Sequence, residues 1–368
     1  MTGIPPSVLE GLPTPCLVVD AAAASRNIAR CAAFFAGQPA ALRPHFKAHK
    51  CTTLMRRQLD AGSCAGVACQ TSWEALVLAR AGFPDILIAN QVVDAAALDE
   101  LAEAAAIARL TVAVDDGAQV GLLAAAASRH GVLVGVLIEL DVGAGRCGLP
   151  LGDPSLVPLA EQIARQDRLS FRGLQAYEGH AVQRDSRSVR ATLVGQAADQ
   201  VRRERARLAA AGFDCEIVSG GGTGTYDLAA AAGAVTEVQA GSYVLMDASY
   251  GKLDLPFEPA LYWAATVISR HDTRAVLNVG LKELTVELGM PAIQAAGARV
   301  TALSDEHAQV RLAPGQDGLA VGDKVLLIPA HVDPAVNLYD RLFAREEGAV
   351  TEWDVDGRRR YRLPAAAG

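Results

Sequence analysis

The regular alternation of short apolar runs with longer segments of helical period constrains the fold of this chain more than any other feature. In the longer segments apolar residues recur every three or four positions, which is typical of helices packed on a sheet. The predicted strands are 41–49, 66–70, 85–90, 110–115, 134–141, 170–179, 215–219 and 236–243. Most are separated by predicted helices, which include 72–81, 95–108, 117–130, 156–165 and 189–211. Eight strands that alternate with helices predict a parallel (β/α)8 barrel, with a doubly wound open sheet as the alternative.

The chain changes character after Tyr250, where short β segments joined by turns replace the alternation. These segments are 261–269, 274–279, 298–303, 309–312, 324–329 and 352–361. We therefore predict a barrel over residues 22–250 and a β-domain over residues 251–368. The apolar run at 16–20 is expected to bring residues 1–21 into the β-domain.

Composition and charge argue against several classes of protein. The 368 residues carry a net charge of -7 without a basic block, so nucleic acid is not an expected partner. No segment reaches the roughly 18 uninterrupted apolar residues of a membrane span, so no membrane partner is expected. Residues 1–15 lack a secretory signal pattern, and the seven cysteines lack CxxC spacing. Both features favour reduced thiols and a cytoplasmic location.

The first strand of the predicted barrel ends in the segment Arg43-Pro44-His45-Phe46-Lys47-Ala48-His49-Lys50. On an extended strand alternate side chains share a face, so His45, Lys47 and His49 are predicted to point the same way. Partial burial beside a histidine favours the neutral amine of a lysine, which can form a Schiff base with an aldehyde. The alternative is a solvated strand edge, because lysines are usually exposed.

Two later strand ends supply further polar groups, as expected where barrels place their functional side chains. The fifth strand ends in residues 141–148, where glycines allow close backbone approach and place Arg146 over the barrel mouth. The sixth strand ends in Tyr177-Glu178-Gly179-His180, which contains a potential acid and base pair. The alternatives are a solvent-facing Arg146 and purely structural roles for Tyr177 and His180.

The seventh strand runs into Ser219-Gly220-Gly221-Gly222-Thr223-Gly224-Thr225, and a short helix is predicted at 226–232. A glycine cluster exposes consecutive backbone N–H groups, and a helix N-terminus favours an anion. Barrels often bind phosphate after strands seven and eight. The spacing matches neither the Walker A motif nor the dinucleotide fingerprint, which argues against ATP and NAD. The alternative is a flexible glycine turn.

The Schiff-base lysine and the phosphate cradle together indicate one cofactor. Pyridoxal 5'-phosphate must be held by its aldehyde at one end and by its phosphate at the other. The two segments lie on different sides of the predicted barrel mouth, so the pattern predicts pyridoxal phosphate.

The β-domain contains a second ligand-like segment, His331-Val332-Asp333-Pro334. His331 and Asp333 are two apart, so on an extended segment their side chains would share a face. One imidazole and one carboxylate suit Mn²⁺, Mg²⁺ or Zn²⁺ with water completing the coordination. The alternative is a buried hydrogen-bonded pair.

These residues resemble those of the metal-activated D-threonine aldolases and their relatives, the 3-hydroxy-D-aspartate aldolases and D-serine dehydratases. These proteins share the alanine-racemase-like fold of pyridoxal enzymes, and the resemblance covers nearly the whole chain. It includes residues 14–15, 43–50, 145–148, 219–223, 239–243 and 331–334. The lysine segment and the His331 segment, found together in this order, are specific to the family. The glycine motif alone is not.

The resemblance implies roles for individual residues. Lys47 would bond to the cofactor aldehyde, Arg146 would contact its phenolic oxygen, and the glycine segment would hold its phosphate. The predicted cofactor-binding residues are Lys47, His45, Arg146, Tyr177, Ser219, Gly221, Gly222, Thr223 and Tyr243. The predicted catalytic residues are Lys47, His180 and Tyr177, and the predicted metal ligands are His331 and Asp333.

The activity that the resemblance implies is cleavage of a D-3-hydroxy amino acid into glycine and an aldehyde, with pyridoxal phosphate and a divalent metal. The dehydratase branch carries cysteine where this chain has Asp333. The resulting N/O pair favours the aldolase, and favours Mn²⁺ or Mg²⁺ over Zn²⁺. A D-serine or 3-hydroxy-D-aspartate dehydratase is the alternative, and a non-catalytic pyridoxal phosphate carrier is the second. The resemblance also implies a homodimer.

Overall fold

Two sheets organise the part of the chain that the structure describes, one of eight strands and one of nine. The computed structural model describes residues 9–315, 318–346 and 348–359. The β-domain was predicted to cover residues 251–368 and to include residues 1–21. Of these, residues 1–8 and 360–368 lie outside the described residues. Within the described residues no helix combines the length and apolar character needed to cross a bilayer.

The eight-stranded sheet is parallel throughout. It follows β1 (Cys16–Asp20) in the chain and contains β2 (Ala41–Leu42), β3 (Val67–Cys69), β4 (Asp85–Ile88), β5 (Arg109–Val114), β6 (Val134–Glu139), β7 (Leu169–Ala176), β8 (Ile217–Gly220) and β9 (Glu237–Val238). Its order is β2-β9-β8-β7-β6-β5-β4-β3, and isolated bridges from Leu42 to Cys64 and from His45 to Ala68 link the two ends. The strands therefore curl into a barrel, which confirms the predicted (β/α)8 class over a doubly wound sheet.

Helices alternate with these strands. They are α1 (Ala21–Phe35), α2 (Thr52–Asp60), α3 (Ser72–Arg80), α4 (Ala95–Ile107), α5 (Gly117–His130), α6 (Leu156–Ala164), α7 (Arg187–Ala210) and α8 (Tyr226–Ala232). Local capping fixes their ends, as α5 shows. Asp116 accepts the Ala118 N–H, the Gln119 side chain accepts the Asp116 N–H, and Gly131 ends the helix with a φ of 67°.

The second sheet is mostly antiparallel and includes β1. Its other strands are β10 (Leu261–His271), β11 (Arg274–Leu277), β12 (Ala292–Ile293), β13 (Ala298–Leu303), β14 (Ala308–Leu312), β15 (Lys324–Ile328), β16 (Arg341–Glu346) and β17 (Ala349–Asp354). Strand β1 pairs antiparallel with β10 and parallel with β16. The sequence patterns missed β12, which has two residues, and β16, whose alternate positions include charged side chains.

The two sheets meet at the barrel mouth through the segment that follows β15. The Ala248 N–H donates to the Pro329 carbonyl at 2.8 Å, and the Ser249 hydroxyl donates to the Ala330 carbonyl at 2.7 Å. A short helix, α9 (Val332–Asn337), comes next. These contacts bring the segment with His331 to the C-terminal ends of the barrel strands.

A buried ion network lies at the opposite end of the barrel. The Arg43 guanidinium donates to Glu237 at 2.6 Å and to Asp85 at 2.8 Å, and all three side chains are less than a tenth exposed. Asp85 and Glu237 are the first residues of β4 and β9. The network therefore links the N-terminal ends of two strands that are not neighbours in the sheet.

Removing one partner of this network should destabilise the barrel. We expect Glu237→Ala to lower the free energy of unfolding by about 3 kcal/mol, because Arg43 stays buried with one of its two carboxylates missing. Urea denaturation followed by circular dichroism would measure the change. Glu306→Gln, which breaks the exposed pair with Lys282, is the control and should leave the midpoint unchanged. Equal midpoints for Glu237→Ala and the wild type would contradict the expectation.

Candidate active site

A cavity of about 430 Å³ opens at the C-terminal ends of the barrel strands, a volume suited to a small-molecule ligand. Its wall combines residues near the ends of the barrel strands with His331 and Asp333, which follow β15. Nine of the residues singled out in the sequence contribute to it: His45, Lys47, Arg146, Tyr177, His180, Gly222, Thr223, His331 and Asp333. Ser219, Gly221 and Tyr243 do not line this cavity.

The lysine segment is not the extended strand that the sequence predicted. Strand β2 ends at Leu42, and Phe46–Ala48 form a 3-10 turn. Pro44 has no N–H to continue the sheet ladder, and the His45 imidazole Nδ1 accepts the Lys47 N–H at 3.4 Å, which favours the turn. His45 and Lys47 reach the cavity. His49 does not, because its ring is buried and bonds to the Gln58 side chain at 2.8 Å.

The histidine beside the lysine is neutral. Burial, reinforced by the nearby Lys47 charge, holds the pKa of His45 well below its usual range. The Lys47 amine lies 6.0 Å from the centroid of the Tyr177 ring, and the Arg146 guanidinium lies 5.7 Å from the same centroid. Burial raises the pKa of Tyr177 to about 12, with the Glu178 charge adding to it. Tyr177 is therefore a phenol that can donate a hydrogen bond.

Backbone geometry sets the position of His180. Gly143 has a φ of 119°, and a Cβ at this position would meet the His180 ring at 2.9 Å. The Asp141 carboxylate accepts the Gly143 and Gly145 N–H groups at 3.0 Å each and fixes this turn. In the described part of the chain, the buried Nδ1 of His180 has no hydrogen-bond partner. The His180 ring also contributes to the wall of the cavity.

The glycine segment departs from the prediction of free N–H groups. The Gly221 N–H donates to the buried Glu178 carboxylate at 3.0 Å, and the Gly222 N–H donates to the Thr225 hydroxyl at 3.2 Å. The Thr225 hydroxyl itself donates to Glu178 at 2.7 Å. The Gly221 N–H was predicted to bind the phosphate of the cofactor, but it binds the carboxylate of Glu178 instead. Gly222 and Thr223 are the members of the segment that reach the cavity.

Two predicted cofactor-binding residues support the wall from behind. Ser219 lies in β8, and its hydroxyl accepts a hydrogen bond from Gln239 at 2.8 Å. The Tyr243 hydroxyl accepts from the Gln58 side chain at 2.9 Å, and the Tyr243 N–H donates to Thr223 at 3.0 Å. Both side chains are fully buried, and their hydroxyl groups accept hydrogen bonds from glutamine side chains of the protein.

His331 and Asp333 do face each other, but not on an extended segment. His331 precedes α9 and Asp333 lies in its first turn. The His331 Nε2 is 3.8 Å from an Asp333 carboxylate oxygen. Bonds from divalent metals to nitrogen and oxygen are about 2.0–2.2 Å, so a single ion is able to contact both atoms. No group of three or more metal-ligating side chains occurs among the described residues, so two protein ligands would leave positions for water or substrate.

Three of the glutamines that line the cavity had no role assigned to them from the sequence, although one of them lies in the segment 239–243 that carries part of the resemblance. They are Gln70, Gln175 and Gln239. Each lies at or directly after the end of a barrel strand, β3, β7 and β9 respectively. That position is the signal that would have identified them, because functional side chains collect at strand ends in this fold.

Comparison with known proteins relates this architecture to one family. The model of the alanine racemase N-terminal domain matches residues 19–249, and a serine dehydratase domain model matches residues 260–344. D-threonine aldolase of Arthrobacter sp is 39% identical over 367 residues, which cover 96% of this chain and 96% of that protein. The chain belongs to the D-threonine aldolase family. Within this aldolase family, 3-hydroxy-D-aspartate aldolase of Paracoccus denitrificans (strain Pd 1222) is 36% identical over 94% of this chain and 92% of its own length.

A solved structure supports the relation at the level of the fold. The D-threonine aldolase from Filomicrobium marinum matches with a TM-score of 0.90 and 36% identity, over 94% of this chain and 96% of that chain. The aldolase family and its alanine-racemase-like barrel imply pyridoxal phosphate as the cofactor. The cavity fits this cofactor in its chemistry, because Lys47 and the Thr223 segment both line it. A Cβ at Gly222 would come within 3.1 Å of Val182 and 3.3 Å of Tyr177, so glycine leaves this space open without a shift of either side chain.

The buried state of His49 predicts a pH effect on stability. Burial lowers the pKa of His49 from 6.5 to about 4, against the opposing hydrogen bond with Gln58. Between these values the unfolded chain binds a proton that the folded chain does not, so stability is lost as the pH falls from 6.5 towards 4. We expect the urea midpoint of His49→Gln to fall less steeply over this range than that of the wild type. The exposed His271, changed to Gln, is the control and should keep the wild-type slope. Identical slopes for all three proteins would contradict the assignment.

Proposed function

We propose that this protein is a pyridoxal-phosphate- and divalent-metal-dependent aldolase that cleaves D-3-hydroxy amino acids into glycine and an aldehyde. The observation that carries the proposal is that one cavity contains the Lys47 amine, the Thr223 segment and the pair His331 and Asp333. Similarity to D-threonine aldolase over nearly the full length supports the same reaction. The substrate class includes D-threonine-like and D-3-hydroxyaspartate-like compounds.

Four residues of this chain would hold the cofactor. Lys47 would bond to its aldehyde, Arg146 would face its phenolic oxygen, and Gly222 and Thr223 would receive its phosphate. When bound, pyridoxal phosphate supplies an electron sink for the charge left on Cα after the Cα–Cβ bond breaks. The neutral ring of His45 beside Lys47 keeps a second positive charge away from the amine.

The pair His331 and Asp333 would hold the divalent metal. An N/O pair favours Mn²⁺ or Mg²⁺, with Zn²⁺ also compatible. A metal at this pair supplies Lewis acidity to the 3-hydroxyl oxygen of the substrate. The Ser242 hydroxyl, 3.3 Å from an Asp333 oxygen, helps to orient this carboxylate.

Two side chains would move or hold protons. We assign His180 as the base that accepts the proton of the substrate 3-hydroxyl, because its ring lines the cavity. Lys47 would return a proton to Cα after cleavage. Tyr177 stays protonated because its pKa is raised to about 12, so it acts as a hydrogen-bond donor rather than a base.

A dehydratase that releases ammonia and a keto acid is the second candidate. The match of residues 260–344 to a serine dehydratase domain model favours it. The same cavity residues would serve, with the metal pair promoting loss of the 3-hydroxyl group. Asp333 argues for the aldolase. With His331 it forms an imidazole and carboxylate pair, which is a harder set of metal ligands than the imidazole and thiolate expected in a dehydratase.

Assembly and location complete the proposal. We infer a homodimer in the cytoplasm, in keeping with the alanine-racemase-like architecture. Sedimentation of the purified protein would test the first part, and a single species at the mass of one chain would contradict it.

Product analysis tests the reaction directly. Purified protein would be incubated with pyridoxal phosphate, Mn²⁺ and a panel of D- and L-3-hydroxy amino acids. We expect glycine and an aldehyde from the D isomers only. Ammonia and a keto acid would instead assign the dehydratase reaction, and turnover of L isomers alone would overturn the stereochemical assignment.

Substitutions separate the cofactor site from the metal site. We expect Asp333→Ala to keep the absorbance of bound cofactor and to lose metal-stimulated cleavage by about 100-fold or more, because Lewis-acid stabilisation is worth several kcal/mol. Lys47→Ala should lose both. Asp305→Ala, an exposed carboxylate in the same sheet region, is the control and should behave like the wild type. If cleavage persists both after chelation of the metal and in Asp333→Ala, the proposed role of the metal is wrong.

A further inference from the structure

The imidazole of His331 has a second contact that the proposed reaction does not use. Its Nδ1 lies 2.8 Å from a carboxylate oxygen of Glu287, while its Nε2 faces Asp333 at 3.8 Å. Glu287 belongs to the connection 278–291 between β11 and β12. It precedes His331 by 44 residues in the chain. Unlike His331 and Asp333, Glu287 does not line the cavity.

This contact determines which ring nitrogen is free. An ionised carboxylate can only accept hydrogen bonds, so Nδ1 of His331 must carry the hydrogen in the contact with Glu287. In the neutral imidazole the lone pair then lies on Nε2, the atom that faces Asp333. A carboxylate behind a ligating histidine fixes its tautomer and ring orientation and raises the basicity of the ligating nitrogen.

We propose that Glu287 is a positioning residue that holds His331 with Nε2 directed into the cavity, ready to bind the metal. The proposal rests on the metal role given above to His331 and Asp333. Glu287 is not a third ligand in this arrangement. Its bonded oxygen contacts Nδ1, on the opposite edge of the ring from the nitrogen that would bind the ion.

The backbone of His331 is fixed without Glu287. The Val332 N–H donates to the buried Asp247 carboxylate at 3.2 Å, and the Ala330 carbonyl accepts from Ser249. The freedom that remains is rotation of the His331 side chain about its own bonds. Glu287 removes that freedom, because a bonded Nδ1 prevents the ring from turning over.

The connection that carries Glu287 is also held by other contacts. The Leu281 N–H donates to the Ser304 carbonyl at 2.9 Å, the Lys282 N–H donates to the Asp305 carbonyl at 3.1 Å, and Lys282 pairs with Glu306. A change at Glu287 should therefore leave the connection in place. Its effect should be specific to the orientation of His331.

The first measurement is the Mn²⁺ affinity of the protein loaded with pyridoxal phosphate. Electron paramagnetic resonance measures it, because the signal of free Mn²⁺ decreases as the ion binds. We expect Glu287→Ala to bind Mn²⁺ about tenfold or more weakly, as for other second-sphere carboxylates. Glu287→Gln should bind with intermediate affinity, because its amide oxygen still accepts from Nδ1 but carries no charge. Cofactor absorbance and the thermal midpoint without metal should be unchanged in both variants.

Glu306→Gln is the matched control, since it removes one negative charge and breaks the pair that anchors the same connection. It should bind Mn²⁺ like the wild type. Wild-type affinity in Glu287→Ala, or an equal loss in Glu306→Gln, would overturn the role of Glu287. Asp333→Ala separates this failure from failure of the proposed metal site. If the wild type binds Mn²⁺ no better than Asp333→Ala, the metal pair itself is wrong.

A second measurement tests the tautomer without metal. Long-range ¹H–¹⁵N correlation spectra distinguish the two ring nitrogens of the seven histidines, with His331→Gln used for assignment. We expect His331 to carry its hydrogen on Nδ1 in the wild type and in Glu287→Gln. Glu287→Ala should give a mixture of tautomers. An unchanged tautomer in Glu287→Ala would contradict the proposal.

Discussion

The hydrogen bonds that hold residues 329–333 against the barrel mouth are the constraint on which the site depends. The Asp247 carboxylate is central to them, because it accepts the Tyr250 N–H at 2.8 Å and the Val332 N–H at 3.2 Å. Burial raises the pKa of Asp247 to about 6, and these two N–H donors oppose that rise and favour the ionised form. This attachment places Asp333, at the start of α9, in the wall of the cavity that Lys47 also lines.

A second chain of contacts joins the lysine turn to the glycine segment. It runs from His49 to Gln58 at 2.8 Å, from Gln58 to the Tyr243 hydroxyl at 2.9 Å, and from the Tyr243 N–H to Thr223 at 3.0 Å. These buried groups do not reach the cavity, yet they connect the turn of Lys47 with Thr223, which does. Tyr243, which the sequence marked as a cofactor-binding residue, therefore supports residues that line the cavity.

The local sequence determined the elements and much of the chemistry. The limits of α5 and α8 agree with the predicted helices because the residues that end them are their neighbours in the chain. The Asp116 carboxylate accepts the Ala118 N–H at the start of α5, and Gly233 ends α8. The alternation of strands and helices indicated the barrel class, since each pattern reflects a face that must be buried. Lys47 and His331 were singled out from the short segments 43–50 and 331–334, and both line the same cavity.

The tertiary structure decided which groups are free and which are used within the fold. The Gly221 N–H is taken by Glu178, 43 residues away, and the His331 ring is held by Glu287, 44 residues away. His49 lies inside the fold because the chain turns at Phe46–Ala48 and the Gln58 side chain offers its ring a partner. Periodicity and spacing describe contacts between neighbours in the chain, and hydrogen bonds between distant segments form only when the sheets are assembled. The sequence therefore singled out side chains that line the cavity, and the assembled fold alone determined their orientation and their partners.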